Sequence, residues 1–92
     1  MPARFYQDYF FAGGIMKAFV EFIVKQLVDK PEKVKVEENT PNENTIELIV
    51  EVDKDDIGKV IGKKGKNINA MRTLVSAIGA KGHKRAMLQV VE

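Results

Sequence analysis

Gly62-Lys63-Lys64-Gly65 is the segment whose residue types and spacing could do chemistry. Glycine at both ends lets the backbone turn tightly and lets a ligand approach without a Cβ in the way. The four residues feed directly into an apolar-periodic stretch that begins at Lys66, so the loop sits at a helix N-terminus. Free backbone amides and the positive helix end favour phosphate oxygens there. Lys63 and Lys64 add charge, and Lys59 and Lys66 flank them. Such a site suits a phosphodiester backbone better than a metal ion or a carbonyl electrophile. The spacing is not that of a Walker loop, which needs Gly, four residues and Gly-Lys-Ser/Thr, nor of a dinucleotide Gly-x-Gly-x-x-Gly. A Gly-x-x-Gly is common and taken alone fits a plain helix-to-helix turn with solvated lysines better, so its surroundings decide.

The elements that must position the loop follow from periodicity. Met16 to Lys30 carries Phe19, Val20, Phe22, Ile23, Val24, Leu27 and Val28 at helical spacing, which predicts a helix with Phe19 and Phe22 in the core. Glu21 and Lys25 form a favourable pair four apart, and Pro31 stops the helix. Lys33 to Glu38 alternates through Val34 and Val36, and Thr45 to Val52 through Ile46, Leu48, Val50 and Val52. Two strands joined by the six polar residues 39–44 read as a hairpin. Asp53 to Asp56 is N-cap chemistry, with Asp55 and Asp56 as caps of a two-turn helix reaching Ile61. Lys66 to Ala80 resumes helical spacing through Ile68, Met71, Leu74, Val75 and Ile78, and Gly79 and Gly82 terminate it. Lys84 to Val91 is a last strand with Ala86, Leu88 and Val90 inward. The order is α-β-β-α-α-β in one domain, residues 16–92. Residues 1–15 differ from the rest, with five of the seven aromatics in the first eleven positions and a Gly13-Gly14 break. They are either a leader ahead of a natural start at Met16 or a segment whose aromatics pack on the domain or a partner.

Charge is distributed unevenly. Residues 16–58 hold 6 lysines against 11 acids, a net −5, whereas residues 59–92 hold 6 lysines and 2 arginines against Glu92 alone, a net +7. The overall +2 therefore hides a strongly basic third, the local field a polyanion partner needs. There is no cysteine, which excludes disulfides, thiolate metal sites and thiol catalysis. The single His83 cannot build a multi-histidine zinc site and has no nucleophile to serve. No apolar run approaches a membrane span, and no cofactor motif is present.

Val60-Ile61-Gly62-Lys63-Lys64-Gly65-Lys66-Asn67-Ile68, set in that element order, resembles the Ile-Gly-x-x-Gly-x-x-Ile signature of the KH domain family. Over residues 16–92 the chain is similar to the type II, prokaryotic topology, and most to stand-alone bacterial KH proteins of the KhpA type. The resemblance implies an α+β fold, a three-stranded sheet with three helices on one face. It also implies a groove for about four single-stranded nucleotides between the Gly-x-x-Gly helices and a sheet edge. Gly62, Lys63, Lys64 and Gly65 would clamp the sugar-phosphate backbone, with Lys59 and Lys66 beside them. Ile57, Val60, Ile61 and Ile68 would form either groove floor or core. Lys81-Gly82-His83-Lys84-Arg85 would lie across the groove, with Lys84 and Arg85 either holding phosphates or solvated. Only Phe19 and Phe22 are aromatic beyond residue 15, so bases would rest on aliphatic surface rather than on rings. The expectation is a cytoplasmic single-stranded RNA-binding protein without enzymatic activity, paired with itself or with a second KH-containing protein of the KhpB or Jag type, and with no membrane partner. The alternative is a KH-fold module for protein contacts with incidental RNA binding.

Overall fold

The computed structural model describes residues 15–91. The expectations for the leader fall, but for Ile15, outside the described residues. Helix α1 spans Ile15–Leu27, strand β1 Lys35–Asn42, strand β2 Thr45–Glu51, helix α2 Ile57–Ile61, helix α3 Lys66–Lys81 and strand β3 Arg85–Val90. Three single 3₁₀ turns, Pro31–Lys33, Lys54–Asp56 and Lys63–Gly65, join them. The sheet order is β1-β2-β3. β1 pairs antiparallel with β2, as a hairpin must, and β2 pairs parallel with β3, which requires the crossover that α2 and α3 provide. This is the α+β arrangement, three strands and three helices, that the element order implies.

Alternation decides which sheet face meets the helices. Ile46, Leu48 and Val50 of β2, Val36 of β1, and Ala86 and Leu88 of β3 are buried, while Glu37 and Gln89 face out. Leu48 lies between Glu38 and Leu88 in register and is fully enclosed. The hairpin is tighter than the composition of residues 39–44 predicts. β1 continues to Asn42, and only Glu43 and Asn44 form the loop, held by the Asn42 side chain accepting the Asn44 N–H at 2.9 Å. Pro41 is tolerated because β1 is an edge strand and its register shifts between Asn39 and Asn42.

α1 corrects the expected core. Met16, Val20 and Val24 line its buried face, whereas Phe22 is 65% exposed and Phe19 half-buried. Apolar residues occupy too wide an arc of this helix for all to face inward. Phe22, two residues past Val20, lies about 200° around the axis from it. On α3 the same geometry buries Ile68, Met71 and Val75 and leaves Leu74 exposed.

Gly79 is not a terminator. It is inside α3 and buried, and an added Cβ would stand 2.8 Å from the Ala86 Cβ and 2.9 Å from the Lys84 carbonyl oxygen. Its missing side chain lets α3 lie against the start of β3, and the helix ends at Gly82. Gly79→Val is expected to overpack this contact and cost about 2 kcal/mol. An unchanged midpoint in chemical denaturation would show that α3 and β3 can separate without cost.

Candidate nucleic-acid interface

The Gly-Lys-Lys-Gly loop has a defined shape. The Gly62 N–H donates to the Gly58 carbonyl at 2.8 Å and closes α2, and the Gly65 N–H donates to the Gly62 carbonyl at 3.0 Å. Gly62 has φ +79°, Lys64 +57° and Gly65 +76°. At Gly62 glycine is required twice over, because a Cβ would meet Asn67 Cγ at 2.7 Å and the Asn67 nitrogen at 2.9 Å. Asn67 reaches back across the loop and donates from Nδ2 to the Lys59 carbonyl at 2.9 Å. It thereby satisfies an end carbonyl of α2 from the first turn of α3. Asn67 holds the loop from outside the Gly-x-x-Gly spacing. A polar side chain two residues past a Gly-x-x-Gly is the signal that would have found it.

Lys63, Lys64 and Lys66 are exposed around the N-terminus of α3, and none is in an ion pair among the described residues. Lys59 differs from expectation. Its ammonium pairs with Asp29 and lies 3.6 Å from Asp56, so it faces the end of α1 rather than the loop. The hydrogen bond to the Asp29 carboxylate holds its pKa above the ordinary lysine value. Ile68, 6% exposed, and Val60, fully enclosed, are core rather than base-contacting surface. Ile57 and Ile61 are half-buried against the same core and keep some surface open.

Asp56 does not cap its own helix. Asp53 does the local capping, accepting the Asp55 N–H at 3.0 Å, and that bond lowers the Asp53 pKa. Asp56 is 1% exposed and accepts the backbone N–H groups of Asp29 at 3.2 Å and Lys30 at 3.1 Å. A buried carboxylate thus ties the chain after α1 to the start of α2, the helix that carries the loop.

The second basic cluster lies at the other end of α3. β3 runs back along the helix, so Arg72 meets Leu88 and Gly79 meets Ala86. The 16 residues of α3, at 1.5 Å rise, separate Lys81 from the loop by about 24 Å. Lys84 is half-buried and donates to the Glu43 carbonyl at 2.7 Å, while the Arg85 side chain is exposed. Both line an open groove of about 530 Å³ between α3 and β3, together with Arg72, Ser76, Met87 and Gln89. Gly65, Asn69, Arg72 and Ser76 recur at four-three-four spacing, so one stripe of α3 leads from the loop into the groove. His83 is exposed with φ +58° in the turn after α3, a backbone position histidine tolerates better than most residues. No group of three metal-ligating side chains occurs among the described residues. No described helix is long and apolar enough to cross a membrane.

Comparison with known proteins finds relatives over nearly the same residues. The family model for the KhpA/KhpB KH domain matches residues 17–90. The chain is 45% identical over 76 residues to RNA-binding protein KhpA of Clostridium perfringens, covering 83% of this chain and all of that one. It is 44% identical over 77 residues to RNA-binding protein KhpA of Chlamydia trachomatis, covering 84% and 97%. The protein of that name from Aquifex aeolicus is 43% identical over 77 residues, covering 84% and 96%. No solved structure gives a significant match. With a described fold of the expected topology, a Gly-x-x-Gly loop between two helices, and a match over residues 17–90, the chain belongs to the KhpA/KhpB family of KH domains.

Proposed function

We propose that the protein binds single-stranded RNA, with the Gly62-Lys63-Lys64-Gly65 loop clamping the sugar-phosphate backbone and the α3–β3 groove receiving bases. The observation that carries this is the loop itself: two exposed lysines, in no ion pair among the described residues, on a locked turn that opens the N-terminus of a 16-residue helix. Lys66 adds to that field; Lys84 and Arg85, level with Gly79, form a second basic end about 20 Å away along the helix. The relatives named RNA-binding proteins support the same ligand. Binding without catalysis, in the cytoplasm, completes the proposal. Pairing with a second copy or with another KH-containing protein belongs to it too, since one short groove gains from a linked second site through effective concentration. Phe22 and Leu74 offer apolar surface for such pairing.

A Gly-x-x-Gly loop clamps about four nucleotides of unpaired backbone, whereas a duplex is recognised by its shape across successive grooves. Fluorescence anisotropy with a short unstructured RNA and a matched hairpin stem is expected to show tighter binding of the single strand. Equal or tighter binding of the stem would contradict the clamp.

A further inference from the structure

Arg72 was outside the loop chemistry, yet it stands in the groove with its geometry set. It lies seven residues past Gly65, about 10 Å along α3. Its Nε donates across the groove to the Leu88 carbonyl of the edge strand at 3.2 Å. That bond fixes the plane of the guanidinium and leaves the two terminal nitrogens of the fork to other partners. No acid pairs with Arg72 among the described residues. The groove it enters has a volume within the range of small-ligand clefts, about 300–1,000 Å³. Among the described residues no aromatic side chain lines it, and the groups that face a base there are the Arg72 fork and aliphatic surface.

We infer that Arg72 is the base-reading residue of this groove and that the base it favours is guanine. A fork with two parallel N–H donors seeks two adjacent acceptors. Among the bases guanine presents O6 and N7 side by side, whereas adenine places its N6 donor next to N7 and would repel one arm of the fork. Lysine could supply the charge but not the planar pair. The phosphates have their own site at the loop, one helix stripe away. The inference rests on the RNA-binding reading above and adds to it the identity of one base and the residue that selects it.

The test is anisotropy with two six-nucleotide RNAs, uridines with one central guanine or with 7-deazaguanine, which lacks the N7 acceptor. The protein is expected to bind the guanine strand about tenfold more tightly. Arg72→Lys is expected to bind both strands equally, with its salt dependence kept because the charge is kept. Arg72→Gln, a second exposed substitution that retains the aliphatic stem, is expected to lose the same preference. A guanine preference that survives in both variants would overturn the inference. So would equal binding of both strands by the unsubstituted protein, with Arg72→Gln flattening the salt slope by about 0.7, the mark of a phosphate contact. Failure of the unsubstituted protein to bind either strand at low salt would instead overturn the RNA-binding reading and the inference with it.

Discussion

Replacing Lys63 and Lys64 together by Asp is expected to leave the domain folded and to abolish RNA binding. Both side chains are exposed and neither is in an ion pair among the described residues, so no contact of the fold is lost. The backbone also accepts the change. Lys64 has φ +57°, a conformation that Asp adopts more readily than Lys, and Asp near the start of α3 is favoured by the helix dipole. Stability should therefore move by no more than roughly 0.5 kcal/mol per site. Binding suffers for two separable reasons. Two phosphate-neutralising charges disappear, which flattens the salt slope by about 0.7 for each contact to a single strand. Two carboxylates then face the phosphates, and the partial charge of the helix end cannot offset them. Circular dichroism and a salt titration of anisotropy check both halves. A folded double variant that binds with the original slope would move the phosphate site elsewhere, with the Lys84 and Arg85 end of the groove the first place to look.

The second large effect is expected in stability. Asp56→Ala removes the acceptor of the Asp29 and Lys30 N–H groups and one of the two acids near Lys59. Two partly buried donors are left without that partner, and the buried site of the carboxylate becomes a void. The hydrogen bonds involve a charged group, so the loss should be about 2–3 kcal/mol. For a domain of this size each kcal/mol is worth roughly 4–8 °C, so the thermal midpoint should fall by more than about 8 °C. Asp56→Asn, which keeps one acceptor oxygen, should lie between. A midpoint within about 2 °C of the unsubstituted protein would mean that the α1–α2 tie is replaced by solvent at no cost. RNA affinity measured well below the midpoint separates this tie from the clamp, because Asp56 has no place in the groove.

How much of this was legible in the chain depends on how far apart the cooperating residues lie. The loop was legible because a turn is decided by consecutive residues. Gly62, Lys63, Lys64 and Gly65 impose their conformation within four positions, and the helix that follows announces itself by its own period. The strands were legible for the same reason, since Ile46, Leu48 and Val50 alternate regardless of what covers them. Periodicity also named the helices, but it could not choose the buried arc of α1. Seven apolar residues fit several orientations, and only the position of the sheet sent Val20 and Val24 inward and Phe22 out. Charge counting placed Lys59 beside the loop, and only the proximity of Asp29, thirty residues earlier, turned its ammonium away. Asp56 meets residues 26 and 27 positions before it, and Arg72 meets a carbonyl 16 positions after it. Hydrogen bonds across such separations leave no spacing in the chain, because they exist only once burial of apolar surface has brought α1 to α2 and folded β3 back along α3.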